Sequence, residues 1–504
     1  METILTSATY LLDYHIIIAA LLGVTWGIIG GSLPGISPSI TMALLLPFTY
    51  SMEPTAAIVL LAATYVGAEY GGSVPAILIR TPGTNAAAAT VLDGYEMNKQ
   101  GKAGLALGIS LYSGVLGSLF GLMMLMLLSK PLSAVALSFT PPAYFALGIL
   151  GLSVIATLSG DSLIKGMIAA VLGLMVATIG TDPVTGGTRF TMGSSDLLGG
   201  IAPVMVMVGL FAMSELLAQA SKRGEAERVN SRPKIEFPSL KLARRLIKPQ
   251  SIGGVIGTFE GVMPGAGGTI ASFMSYNEAR RWSKYPDEFG KGSPEGIAAP
   301  ETANNAVAET ALVPLLSFGI PGSNSTAILL GGFLIHGIVP GPMLFQRSGE
   351  VVYGLYAGLF TAAIGLLFIG MALLPVCIWI VNRPRPYLNA FIFALILSGI
   401  YSIHNSLFDL SIMLVAGVVG FLMRMLKFPF LPTVLGLVLG YLVESSFRRS
   451  LVISGDDYGI FFDDRISLTL LCVSGLFVFG SIGKRIWDAI RHKERATFSE
   501  GTDG

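Results

Sequence analysis

The sequence predicts an all-α polytopic membrane protein made of two internally repeated halves, each with broken or re-entrant helices plus ordinary spans. Three observations predict it: long uncharged runs, scarce charge, and a set of proline–glycine interruptions that occurs twice. Of 504 residues, 52% are hydrophobic and only 12% charged, and the mean hydropathy is +0.70, well above soluble composition. No charge falls between Asp13 and Glu53, Lys102 and Lys130, Lys130 and Asp161, or Glu350 and Arg383. Each run reaches or exceeds the ~20 residues with which a helix crosses a bilayer. The total expected is about 10–14 membrane segments once half-helices are counted.

Other classes lose ground on composition. A net charge of +1 gives no case for nucleic acid. Cys377 and Cys472 stand far apart in apolar runs, which suits small buried hydrophobes better than a disulfide or metal pair. The four histidines are scattered, and no Gly-x4-Gly-Lys-Ser/Thr loop occurs, so any transport draws on an ion gradient or another subunit. No cofactor is expected. The N-terminus lacks the basic segment of a signal peptide, so the apolar run from His15 is read as a retained first span.

Taken in order, that run ends at Pro34-Gly35, and Ser37-Pro38-Ser39 prolongs the break before a short apolar stretch, Ile40 to Phe48. A second short apolar helix, Pro54 to Gly67, leads to Glu69-Tyr-Gly-Gly-Ser73. Val74 to Leu92 is cut by Pro82-Gly83-Thr84-Asn85, and a polar loop, Asp93 to Lys102, follows. Three to four ordinary spans come next, with Gly104-x3-Gly108 and Gly117-x3-Gly121 as close-packing glycines. The second passage repeats the pattern: Gly257 to Gly261, Pro264-Gly265, Val313-Pro314 and Pro321-Gly322-Ser323-Asn324. The offset is 230 residues at Pro34/Pro264 and 239 at Pro82/Pro321, so the second copy holds nine more residues between its pieces. Those fall beside a charged, aqueous insertion, Asn277 to Ala299. Four or five further spans follow Pro342.

Along the chain this gives a first half over 1–220, a basic linker over 221–250, a second half over 251–483 and a tail over 484–504. The linker carries nine basic residues against three acids, which places it in the cytoplasm; the basic tail belongs there too. The N-terminal stub has acids but no Lys or Arg and is expected outside. The two copies would then enter the membrane from opposite sides, as inverted repeats do.

Broken apolar segments at matching places point to a substrate site. Interruption frees backbone groups that lipid cannot satisfy. Freed N–H groups at a half-helix start suit an anion, and freed carbonyls suit Na⁺. The candidate substrate contacts are Pro34, Gly35, Ser37, Ser39, Arg80, Gly83, Thr84 and Asn85 in the first copy. In the second they are Pro264, Gly265, Gly267, Gly268, Thr269, Gly322, Ser323, Asn324, Ser325 and Thr326. A Ser or Thr at such a place serves equally to cap its own helix, whereas Asn85 and Asn324, duplicated at one position, are read as site residues. Arg80 could pair with a carboxylate or simply lie at the interface. Asn85, Asn324, Glu260 and Asn304 are the candidates for a coupling ion, since intramembrane acids are costly to keep. Glu69 and Glu309 flank other breaks and suit a coupling role or a water-filled vestibule. The glycines 27, 31, 257 and 261 are read as packing residues.

The motifs Gly-Gly31-Ser-Leu-Pro-Gly35, Glu69-Tyr-Gly-Gly-Ser73-x-Pro75, Pro82-Gly-Thr-Asn85 and Asp93-Gly-Tyr95 resemble the large membrane subunit of the bacterial tripartite tricarboxylate transporters. So does the run from Gly261 to Pro342, with Pro-Gly265-Ala-Gly-Gly268 and Gly319-Ile-Pro-Gly-Ser-Asn324. The resemblance implies a secondary transporter in the bacterial inner membrane that imports citrate-like di- or tricarboxylates with Na⁺ or H⁺. It implies two partners, a small four-helix membrane subunit and a periplasmic substrate-binding protein. A looser similarity to carboxylate/Na⁺ symporters rests on Ser323 to Thr326 alone; the first copy reads Thr84-Asn85-Ala86, without the last hydroxyl. A membrane enzyme is disfavoured because no nucleophile–base or metal spacing stands out. An anion channel or an exporter of small organic acids is the alternative.

Overall fold

A computed structural model describes residues 2–158, 162–182, 185–221, 233–265, 267–382 and 385–500. Helices dominate, with one small hairpin pairing Gly180–Thr181 to Thr188–Arg189. Among the described residues nine helices are long and apolar enough to cross a membrane, and three shorter apolar helices accompany them. The chain is a multi-pass membrane protein.

The helices sort into two units that cut across the linear order of halves: Met1–Leu137 with Ala202–Leu422, and Ser138–Ile201 with Met423–Gly504. Both broken passages lie in the first unit. There the first passage forms α1 (Tyr14–Gly31), α2 (Pro38–Leu45), α3 (Pro54–Gly71), α4 (Ser73–Ile79), α5 (Ala88–Lys99) and α6 (Ala103–Ala136). The second forms α7 (Leu240–Val262), α8 (Gly267–Trp282), α9 (Pro294–Thr310), α10 (Leu312–Phe318), α11 (Asn324–Ile335) and α12 (Gly349–Val381).

Local chemistry accounts for several helix starts. Asp13 accepts from the His15 N–H to cap α1, and Glu53 accepts from Thr55 and Ala56 ahead of Pro54, the first residue of α3; proline there loses no helical hydrogen bond. Packing then sets helix against helix. A Cβ on Gly27 of α1 would lie 2.3 Å from the Thr64 carbonyl oxygen of α3, and one on Gly257 of α7 would lie 2.4 Å from that of Ala303 in α9. Only glycine permits such an approach. Gly31 and Gly261 are equally crowded, against Ala68 and Thr310. At 34 residues, α6 rises about 51 Å, more than a bilayer core, and packs Gly117 and Gly121 against Thr302 and Ala306 of α9.

Several boundaries differ from the sequence expectation, each for a physical reason. α3 does not stop at Gly67 but continues through Glu69, and with α4 it forms one wholly buried span, Pro54–Ile79. Pro75 is accommodated because it falls in the first turn of α4, after a joint at Gly72. Asp93, expected in a polar loop, sits buried in the middle of α5. Helix α7 begins at Leu240, inside the stretch read as linker, with Ser239 accepting from the Leu242 N–H as its cap. The basic residues 222–232 lie outside the described residues. Gly104 and Gly108 receive an extended backbone instead of a helix: Cβ atoms there would meet the carbonyl oxygens of Lys234 and Glu236, and the Glu236 N–H donates to Gly104. The insertion after Asn277 is only partly aqueous. From Pro294 it is already α9, where Glu295 is buried and paired to Arg245 at 2.6 Å.

In the second unit, Pro141–Leu158, Leu163–Ala177, Phe430–Ser454 and Arg465–Glu500 pack together. Arg189 and Arg448 both pair with Glu444 at 2.7 Å, and Arg448 also reaches Asp182 at 3.1 Å. These side chains tie the hairpin region to its neighbouring helix.

Candidate functional site

The front breaks are built on glycine. Gly35 and Gly265 hold φ values of 87° and 91°, in the left-handed region where other residues are strained. Ser37 then caps α2, accepting from the Ile40 N–H, while its hydroxyl shares a hydrogen bond with Ser39. Gly35, which follows Pro34, lies beside Gln219, whose amide donates to the Gly35 carbonyl. Pro264, Gly265, Gly267, Gly268 and Thr269 remain partly exposed around the start of α8.

The back breaks fold onto the ends of the front helices. Gly83 donates its N–H to Gly72, and a Cβ there would lie 2.0 Å from the carbonyl oxygen of Gly31, at the end of α1. Gly322 stands correspondingly against Gly261 of α7 and Ala311, and its carbonyl accepts from the Gly265 N–H at 2.9 Å. Thr84 and Ser323 occupy the same place in the two turns. Thr84 accepts from the Ala87 N–H; Ser323 accepts from that of Thr326, and its own N–H donates to the Thr326 hydroxyl. The Ser323 hydroxyl caps α11, whereas the Thr84 hydroxyl holds the turn before α5, which has no side-chain cap of its own. Ser325 and Thr326 are buried, while Asn85 and Asn324 are exposed and neither makes a side-chain hydrogen bond among the described residues. No hydrogen bond joins the two asparagines among the described residues. Arg80 is exposed at the end of α4, its guanidinium 5.8 Å from the Tyr95 ring, in a left-handed conformation (φ 57°) that Gly319 matches in the second copy.

Around the breaks, three contacts among those that join the copies stand out. Tyr65 of α3 reaches the Ser323 hydroxyl at 3.5 Å. Gly268 is wedged between Asn304 of α9 and Ala86 of the first back break. The side chains of Asn304 and Thr84 lie against the carboxylate of Glu69. Of the candidate residues, then, Thr84, Gly268, Ser323, Ser325 and Asn304 converge; Ser37, Ser39, Arg80, Asn85, Asn324 and Glu260 are not joined to them by any hydrogen bond among the described residues.

The buried acids divide by their surroundings. Glu301 of α9 accepts from three hydroxyls, Ser73 at 2.7 Å, Ser110 at 3.0 Å and Thr90, supplied by α4, α6 and α5. Asp93 of α5 accepts from the Tyr276 hydroxyl and from the N–H groups of Gly292 and Ser293 at the entry to α9. Glu309 has no partner for either oxygen among the described residues, nor does Glu69 for its Oε2. Sequence reasoning passed over Glu301 and Asp93 because their donors lie roughly two hundred residues away; the acids' place inside apolar or small-residue stretches was the available signal.

Chemically, the arrangement offers hydroxyls, exposed amides and helix N-termini to an anion, and buried carboxylate and amide oxygens to a cation. Comparison with known proteins agrees with a transport role. A model of the tripartite tricarboxylate transporter TctA family matches residues 17–435. An uncharacterized 52.8 kDa protein in the TAR-I ttuC' 3' region of Agrobacterium vitis is 37% identical over 461 residues, covering 91% of each chain. A protein in the TAR-II ttuC' 3' region of the same organism is 37% identical over 219 residues, covering 43% of this chain and 89% of its own. The chain belongs to the tripartite tricarboxylate transporter TctA family.

Proposed function

We propose that this chain is the permease of a three-part importer, carrying citrate-like di- or tricarboxylates across the bacterial inner membrane. The observation that supports this best is the convergence of two broken passages in one unit. Gly268 meets Ala86, and Tyr65 meets Ser323, so each copy's interruption is completed by the other. In this reading the starts of α5 and α11, with Asn85 and Asn324 exposed beside them, receive the substrate carboxylates. Arg80 supplies a nearby positive charge. A periplasmic binding protein delivers the substrate, a small four-helix subunit completes the permease, and a Na⁺ or H⁺ gradient drives uptake.

The copies are further proposed to be inverted, with the basic 222–232 segment cytoplasmic and the N-terminal stub before α1 outside. Labelling of single cysteines at Ser7 and Ser231 is expected from opposite sides; labelling from one side removes the inversion. The transport reading is tested by reconstituting the chain with both partners and measuring counterflow of labelled citrate and related acids. Counterflow that needs both partners supports it, whereas partner-independent electrical conductance points to an anion channel. Asn85→Ala and Asn324→Ala are expected to lower uptake at least tenfold, about 1.4 kcal/mol of lost interaction. Unchanged uptake in both removes them from the site.

A further inference from the structure

Glu69 and Asn304 are both more than nine-tenths buried, at 6% and 2% exposure. The Asn304 and Thr84 side chains face the Glu69 carboxylate as donors, but Glu69 Oε2 and both polar atoms of the Asn304 amide have no partner at full hydrogen-bonding distance among the described residues. Thr84 adds a third oxygen against the same carboxylate. Its hydroxyl accepts one backbone N–H, from Ala87, which leaves a lone pair free, and the close approach of Gly72 fixes its position. The Asn304 oxygen is held from the other side by Gly268, where a Cβ would come within 2.7 Å.

A buried carboxylate of this kind is either neutralised by a proton or balanced by a countercharge. The charge Glu69 feels is that of a second carboxylate, Glu301, whose hydrogen-bonding capacity is already engaged by three hydroxyls. The open ligands are therefore one carboxylate, one amide oxygen and one hydroxyl: hard oxygen donors carrying a single negative charge. That set suits a hard cation, and in a poorly solvated interior one charge balances a monovalent ion and leaves a divalent one uncompensated.

We propose that Glu69, Thr84 and Asn304 form a binding site for a monovalent alkali cation of the Na⁺ class, where the first back break meets the start of α8. The site deepens the transport reading and rests on it only for the step of calling the bound ion the coupled one. Because its ligands come from α3, the first back break and α9, with Gly268 of α8 behind them, occupancy also joins the two copies beside the exposed Asn85.

The experiment uses the purified full chain without substrate or partners. Its thermal midpoint is followed in rising NaCl, with choline chloride holding ionic strength constant and with KCl as a second arm. A saturable, Na⁺-selective rise is expected for the natural chain and for Ser110→Ala, whose hydroxyl donates to Glu301. The rise is expected to vanish in Glu69→Gln and to need at least about tenfold more Na⁺ in Asn304→Ala. If Glu69→Gln does not fold, Asn304→Ala and Thr84→Val carry the test. A midpoint indifferent to Na⁺, or one raised equally by choline, overturns the site, as does a shift that survives in Glu69→Gln or in both of the other variants. Na⁺-dependent stabilisation without any carboxylate counterflow leaves the cation site standing and removes the transport reading. Counterflow that proceeds without Na⁺, from a chain with no Na⁺-dependent shift, does the reverse.

Discussion

Aligned on Pro75 and Pro314, helices α3 and α9 are counterparts with opposite characters. Both are buried along their length, both rest on a glycine-lined neighbour, and both pass through a short joint into a seven-residue helix that ends at a break. Yet α3 holds one carboxylate in its buried stretch, Glu69, among apolar and small residues, with Tyr65 and Tyr70 on the same helix. Helix α9 buries Glu295, Glu301, Asn304, Asn305 and Glu309. The pairing places Asn304 opposite Tyr65 and Glu309 opposite Tyr70 in register. The shared framework fixes where the backbone breaks, and the divergent side chains decide what each break can hold. Within α9 the contrast recurs, since Glu301 is fully hydrogen-bonded and Glu309 bare.

The sharpest way to break this comparison is to remove Glu301. Glu301→Ala strands three buried hydroxyls, at about 1–3 kcal/mol for each orphaned group, so a loss of about 3 kcal/mol or more is expected in denaturant or thermal unfolding in detergent. Equal stability would mean that the three hydroxyls find other acceptors. Next come the glycines. Gly27→Ala and Gly257→Ala force a methyl against a helix backbone and should each cost about 1–3 kcal/mol; a tolerated change in only one copy would show that the two helix pairs are not equally tight. Arg80 and Gly319 give a smaller effect of opposite sign. Arg80→Gly relieves a left-handed side-chain residue and is expected to stabilise by up to about 1 kcal/mol, while Gly319→Ala costs about as much. Glu309→Gln is expected to change stability least, within about 1 kcal/mol, since no hydrogen bond to the carboxylate is lost. If it destabilises as much as Glu301→Ala does, the distinction between the two acids fails.

Much of the frame was legible in the sequence because its causes are local. Uncharged runs gave the spans, and proline–glycine pairs gave the breaks at Gly35, Gly83, Gly265 and Gly322. The crowded positions of Gly27 and Gly257 follow from small-residue spacing, and Asn304 was already among the candidates for a coupling ion. What escaped was non-local. Ser73, Thr90 and Ser110 are unremarkable in their own helices and gain meaning only when Glu301 arrives from 191 to 228 residues away. Asp93 looked like loop polarity because Gly94 and Asn98 follow it, whereas its partners at Gly292 and Ser293 make it a buried clamp. Gly104 and Gly108 were correctly read as close-packing residues, but nothing in their spacing says that the neighbour is an extended segment and not a helix.

Asp93 and Glu301 also set a timetable for biosynthesis. Each is an acid of one passage held by donors of the other: Asp93 by Tyr276 and the backbone before α9, Glu301 by hydroxyls of α4, α5 and α6. When α5 leaves the ribosome, the N–H groups for Asp93 are still 199 and 200 residues from being made. At about 5–20 residues per second that is a wait of roughly 10–40 s. Through that interval the nascent first passage carries a carboxylate without its final donors, so it cannot close into its finished form. Both acids gain their final donors only once the entry to α9 and Glu301 itself have been made, so neither passage reaches its finished form without the other.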